Sequence, residues 1–208
     1  MMNLFTFSQF QYICYIAFVV SLINACSHHH VIDYIRAGFT LTFSMFFVYF
    51  FHVFEHKYND SMFGKIHTTY HHNPKYKHIW YAKIIELVPN SYLFILILVN
   101  NLIKKFTNIE IFSNYILFFY SALYMWTHFI EYHNNASCLH TYHHKFDNEE
   151  NQNHSSEIKN YGPIILDTIF NTYHDCNHDY DSLWATVRIL IPVYIMYHAT
   201  ILIYKMKK

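Results

Sequence analysis

Apolar residues run along this chain in long blocks, separated by short polar stretches that are rich in histidine. A bilayer crossing needs about 17–25 predominantly apolar residues. Residues 10–26 ("FQYICYIAFVVSLINAC") qualify at the short end, and residues 31–51 qualify with Asp33 and Arg36 near the start, so that the membrane would begin after them. Residues 91–103 are short alone but lengthen if 79–88 continue them through Pro89, and 111–127 are plainly apolar. Residues 183–204 are long enough, although they carry Arg188, Pro192 and His198. Each run taken singly also fits the core helix of a soluble protein. Together they point to an all-α integral membrane protein with about four to five transmembrane helices, forming a single membrane domain over residues 1–208.

Composition sharpens this. Hydrophobic residues make up 53% and charged residues 13% of the chain, and that charged share is about half that of a soluble domain. Lysine plus arginine balance aspartate plus glutamate at 14 each, so charge offers nothing to a nucleic acid. The 4 cysteines show no CxxC spacing, which argues against a disulfide framework and against a thiolate metal site. The N-terminus lacks a basic region and a small-residue cleavage site, so the first run reads as a retained anchor rather than a removable signal peptide.

The excess lies in histidine, with 18 copies. One cluster follows the second apolar run and another follows the fourth. Between them the chain crosses twice, as an antiparallel hairpin turning near Lys104 and Lys105, so both clusters face one compartment. His28–His30 fall between the first two runs, hence on the opposite side, and read as a polar loop. Lys57, Lys65, Lys75 and Lys77 favour a cytoplasmic histidine side, while Lys104, Lys105 and the terminal "KMKK" pull the other way; the balance leans to histidines inside. Sequons at Asn59, Asn135 and Asn153 would then stay unglycosylated, and residues 146–159 form an exposed loop.

Four groups carry the chemistry. "HVFEH" places His52 and His56 four apart, and "HTTYHH" supplies His67, His71 and His72. "HFIEYH" supplies His128 and His133, and "HTYHH" supplies His140, His143 and His144. Residues three or four apart share a helix face. His52 and His56 therefore aim at one point, and His140, His143 and His144 occupy an arc of about 100° that suits two adjacent ions. His128 and His133, five apart, converge only if the helix ends between them. Imidazole is a neutral ligand suited to iron, copper, zinc and nickel. One structural zinc takes four ligands, whereas these two clusters hold enough histidines for a pair of ions. His174 and His178 also have ligand-like spacing, but the other groups already supply enough donors. His78, His154 and His198 read as solvated or packed side chains.

The order HxxxH, HxxxHH, HxxHH, followed by "NYG" (Asn160–Gly162) and "DTIFNT" (Asp167–Thr172), resembles the fatty acid hydroxylase superfamily of membrane di-iron enzymes. That superfamily includes sterol desaturases, methylsterol oxidases, cholesterol hydroxylase and fatty acid 2-hydroxylases. "THFIEYH" is similar to the segment before the last box of the 2-hydroxylases, and the resemblance covers residues 45–173. Asn171 stands where the family has glycine, and a polar loop lengthens the approach to "NYG".

The resemblance implies two iron ions, with zinc able to stand in for them, held by His52, His56, His67, His71, His72, His128, His133, His140, His143 and His144. It implies hydroxylation of a lipid C–H bond, fatty acyl or sterol, with O₂, and desaturation as the nearest rival. Asp167, Glu55 and Glu131 become candidates for orienting histidine N–H groups, although Glu55 and Glu131 read equally well as interfacial carboxylates. Electrons would come from a separate cytochrome b5 or reductase, because the chain has no Gly-rich nucleotide fingerprint. The expected location is the endoplasmic reticulum or its equivalent, with the histidines facing the cytoplasm. A different class, a metal-binding or metal-transport membrane protein, would spread its ligands along an intramembrane path. An inactive relative that keeps only the lipid site would not need intact histidine boxes.

Overall fold

The computed structural model describes residues 31–134, 138–148 and 159–174, with the single positions 20, 23, 194, 195, 198 and 202. The described residues are helical, with no strand among them. The apolar runs at 10–26 and 183–204 lie almost wholly outside the described residues.

Helix α1, Val31–Lys57, is longer than its apolar run and carries His52 and His56 in its last turns. Asp33 in its first turn pairs with Arg36 at 3.1 Å. Ala37, Thr40, Ser44 and Val48 recur every three or four positions and form one buried stripe. Small residues on such a stripe let neighbouring backbones approach closely. It packs on Ile116, Phe119 and Tyr120 of α5, and on Tyr92 and Leu93 of α4. Another face carries Phe39, Phe43, Phe47 and Phe51 in successive ring contacts at 6.2, 5.7 and 6.0 Å.

After α1 the chain reverses into α2, Met62–Ile66, whose N-terminus is capped by the Ser61 hydroxyl accepting from the Gly64 N–H at 3.1 Å. Gly64 is where α2 meets the end of α1. A Cβ there would press on the Tyr58 carbonyl oxygen and lie 2.7 Å from both Asn59 Cα and the Glu55 carbonyl oxygen. A π-helical turn, His67–His72, follows directly.

Helices α3, Trp80–Asn90, and α4, Tyr92–Thr107, form one apolar stretch with a break at Ser91. Pro89 cannot donate a backbone hydrogen bond, and the Ser91 hydroxyl and N–H both turn back to the Val88 carbonyl, at 2.8 and 3.1 Å. Two helical stretches among the described residues, Val31–Lys57 and Trp80–Thr107, are long and apolar enough to cross a membrane. Helix α5, Asn114–Asn134, takes up the expected run at 111–127 from position 114 on, and Asn114, His128, Glu131, His133 and Asn134 interrupt its apolar character. The expected four to five crossings thus reduce to two that length and composition support among the described residues.

The hairpin turns slightly later than the position of Lys104 and Lys105 suggests. Helix α4 runs on to Thr107 and stops at Asn108 in a left-handed conformation (φ 59°). Buried Asn100 closes the turn, accepting from the Ile111 and Phe112 N–H groups at 3.2 and 3.0 Å and donating to the Phe112 carbonyl at 2.9 Å. Helix α6, Cys138–Asn148, carries the last histidine group, and α7, Ile164–Ile169, sits in the segment 159–174. That segment is clamped on α1, where Phe170 stacks on Tyr49 at 5.0 Å and the Tyr49 and Thr172 hydroxyls lie 2.8 Å apart.

Gly64→Ala tests the α1–α2 junction that brings the second histidine group to the first. Forcing a methyl group against backbone costs about 1–3 kcal/mol. The variant should therefore melt at lower temperature in detergent, followed by intrinsic fluorescence. An unchanged melting profile would show that the junction tolerates the methyl group.

Candidate metal centre

Nine histidines from four elements meet at one end of the bundle. His52 and His56 come from α1, and His67, His71 and His72 from the π-helical turn; His128 comes from α5, and His140, His143 and His144 from α6. None is more than 8% exposed. Their donor atoms form sets within 4.8 Å of one another: His52, His56, His67, His72 and His143 in one, His71, His128 and His140 in a second, and His71, His72 and His144 beside it.

The five-histidine set has a proton problem. His52 Nδ1 lies 2.8 Å from the Tyr161 carbonyl, and His143 Nδ1 lies 2.8 Å from the Lys159 carbonyl. A carbonyl only accepts, so both rings donate from Nδ1. As neutral imidazoles they then present bare lone pairs at Nε2. Both lone pairs approach His56 Nε2, at 3.3 and 3.0 Å, and His67 Nε2 reaches the same atom at 3.2 Å. His72 Nε2 follows at 3.0 Å from His67 Nε2. A single N–H on His56 can satisfy one of its three neighbours. A cation satisfies them all: ligands about 2.1 Å from an ion lie about 3.0 Å apart at right angles and about 3.4 Å apart in a tetrahedron. These buried sets could hold metal ions, and the donor chemistry fits them.

The two smaller sets are built the same way. His140 of one and His144 of the other bring their Nε2 atoms within 2.9 Å, and His71, common to both, stacks on His128 at 4.4 Å between ring centres. Burial holds His67, His71, His140 and His144 well below the usual histidine range, and the surrounding imidazoles push in the same direction. Neutral imidazole is the ligand form.

The π-helical turn makes the split between sets possible. In an α-helix residues five apart stand about 140° apart, which would separate His67 from His72. A turn closed by i→i+5 bonds is wider, and here it brings the Nε2 atoms of these two rings within 3.0 Å while His71 joins the other set.

The expected carboxylates fall differently. Glu55 Oε2 sits 3.5 Å from His67 Nδ1, an ion-pair distance without a hydrogen bond. Asp167, a candidate for orienting a histidine N–H group, hydrogen-bonds to the backbone and to Thr172 instead of to a ring. Buried at 1% exposure, it accepts from the Tyr161 and Gly162 N–H groups at 2.9 and 2.7 Å and from the Thr172 hydroxyl at 2.7 Å. It therefore fixes the strap whose carbonyls receive the His52 and His143 protons. Burial raises its carboxyl, and the Thr172 and backbone donors offset part of that rise.

Helix α5 runs through position 133 instead of ending between His128 and His133, and the side chains of Glu131 and His133 lie outside the described ones. His174 joins no donor set. Its ring stacks on Tyr142 at 4.0 Å, and its N–H donates to the Asn160 side chain. His28–His30, His154 and His178 lie outside the described residues, and His78 is exposed. Glu86 was not anticipated. It lies on α3, 2% exposed, with Oε1 2.9 Å from His71 Nδ1. Its signal in the sequence was a carboxylate inside an apolar stretch, which demands a buried partner.

Comparison with protein-family models, with curated proteins and with solved structures found no match for this chain.

Two outcomes test the centre. Asp167→Ala should weaken metal binding about 10–100-fold, as loss of an outer orienting group does, measured by competition with a chelator; unchanged affinity would detach the strap from the site. The second concerns pH. His67, His71, His140 and His144 are held neutral in the fold, so below about pH 6.5 the unfolded chain binds more protons than the folded one. Chelator-stripped protein should lose stability as pH falls through that value, by about 1.4 kcal/mol per pH unit for each extra proton. A melting midpoint that stays flat from about pH 7.5 to 5.5 would contradict it.

Proposed function

We propose that this chain is a membrane-bound, O₂-dependent di-iron oxidoreductase that hydroxylates a C–H bond of a lipid, fatty acyl or sterol. One observation carries the reading: adjacent, buried, all-imidazole donor sets, one of five histidines and two of three that share His71, assembled from distant stretches of the chain. Nitrogen donors beyond the four of a structural zinc site favour a pair of redox metals over a structural ion. The absence of thiolates from the sets agrees with that choice.

Bound iron would supply the O₂ chemistry that acid–base side chains cannot perform on an unactivated C–H bond. The chain's own residues do the rest. His52, His56, His67, His72 and His143 would hold one ion, and His71, His128, His140 and His144 the other. The Tyr161 and Lys159 carbonyls fix the rings of His52 and His143 through Nδ1, so that Nε2 faces inward. Burial excludes water from the sets and keeps His67, His71, His140 and His144 unprotonated. Exposed apolar side chains on α1, α3 and α4, among them Phe50, Ile84, Leu98 and Leu102, provide the lipid-facing surface past which a substrate would enter from the bilayer. Electrons would arrive from a cytochrome b5 or reductase at the histidine end, whose lysines at 57, 65, 75 and 77 favour the cytoplasmic side although Lys104, Lys105 and the terminal "KMKK" pull the other way.

Desaturation of the same class of lipid uses the same ligands and is the nearest alternative. Metal transport is disfavoured because the histidines gather at one end of the helices instead of lining a path between them.

Purified protein should contain iron at both positions and convert a lipid in the presence of O₂ and a reductant. His143→Ala should abolish conversion and empty the five-histidine position; activity and iron retained in that variant would end the proposal. Uptake of zinc into vesicles, without lipid oxidation, would favour transport.

A further inference from the structure

We infer that Glu86 is a positioning residue that sets the second metal position apart from the first by holding the ring of His71. The inference rests on the reading of these histidines as metal ligands. It goes beyond that reading in assigning a role to a carboxylate no histidine box contains.

The geometry is specific. His71 is wholly buried and Glu86 is 2% exposed, and their atoms Nδ1 and Oε1 lie 2.9 Å apart. With Nδ1 donating to a carboxylate, Nε2 is the nitrogen left to face His128, His140 and His144. His71 is the one residue common to both histidine sets outside the five-histidine group, so its ring orientation decides whether those sets can converge on one ion. The Glu86 bond spans two elements, the π-helical turn and α3, and α3 continues into the apolar stretch Trp80–Thr107.

The first position is oriented differently. There the Nδ1–H groups of His52 and His143 meet neutral backbone carbonyls, and the nearest carboxylate, Glu55, stands 3.5 Å from His67 Nδ1 without a hydrogen bond. The distances are alike, 2.9 Å at the carboxylate and 2.8 Å at each carbonyl, so the difference lies in the acceptor: an ionised carboxylate carries a full negative charge that a carbonyl does not. A carboxylate behind an imidazole also raises its basicity as a ligand. The two positions therefore differ in donor strength. The ion held by His71 sits in the more strongly donating set, and its retention depends on Glu86.

The test uses cobalt(II), whose visible spectrum reports its ligand environment, added to full-length protein in detergent. In the unmodified protein both positions should fill, and His71→Ala should identify the spectral component of the second. Glu86→Leu should lose that component and leave the five-histidine component unchanged. Glu86→Gln, whose amide oxygen can still accept from Nδ1–H, should regain it with affinity lowered by about 10–100-fold. Should Glu86→Leu not fold, the affinity of Glu86→Gln decides alone. Full and equal occupancy in Glu86→Leu, or native affinity in Glu86→Gln, overturns the inference. Unmodified protein that binds no cobalt at all defeats the reading of the histidines as ligands, which is a separate failure.

Discussion

The architecture depends on one electrostatic constraint: unprotonated ring nitrogens are packed against one another where water cannot reach them. Lone pairs facing lone pairs at about 3 Å repel unless a proton or a cation stands between them. The Tyr161 and Lys159 carbonyls take the Nδ1–H groups of two of the five rings, His52 and His143, leaving their Nε2 lone pairs facing inward. A positive ion would stabilise the arrangement. Binding energy from such ions would become folding energy for the elements that carry the ligands. The end of α1, the π-helical turn, α5 and α6 share that stabilisation, and the strap at 159–174 holds the rings in register for it.

The site is thus layered. Imidazoles face inward; behind them stand carbonyls of the strap and the carboxylate of Glu86; within the strap, Asp167 holds the backbone that bears the Tyr161 carbonyl. Asp167 governs its neighbours through backbone N–H groups, so its influence reaches His52 by way of Tyr161. Glu86 reaches His71 directly. The two carboxylates serve the same end by different routes, and each lies on an element other than the one bearing its histidine.

Helix-face reasoning was sufficient where the backbone is α-helical. It paired His52 with His56 and gathered His140, His143 and His144, because both groups lie on regular helices. The meeting of the clusters followed from the count of apolar runs between them. The partition of "HTTYHH" was not legible, since no spacing rule announces a π-helical turn, and α-helical geometry would have pulled His67 and His72 apart. Asp167 was legible as a residue but not in its action, which depends on how the strap folds. Glu86 stood in plain view as a lone acid within an apolar stretch. Only the packing of α3 against the turn reveals why it is there.

That last case bears on what the apolar helices do. A carboxylate in a stretch able to cross a membrane costs too much to keep for solubility. Its bond to His71 ties the start of that stretch to the centre. Gly64 does the equivalent for α1, allowing α2 to sit against its end so that His67 reaches His56. The two apolar helical stretches are therefore parts of the centre's frame as well as candidates for crossing the bilayer. A tilt of α3 would be transmitted to the ring of His71 through one 2.9 Å hydrogen bond, whereas α1 carries its own two ligands rigidly on its last turns. The histidine set containing His71 is thus tied to the stretch Trp80–Thr107 through a side-chain hydrogen bond, whereas the five-histidine set takes two of its rings directly from Val31–Lys57.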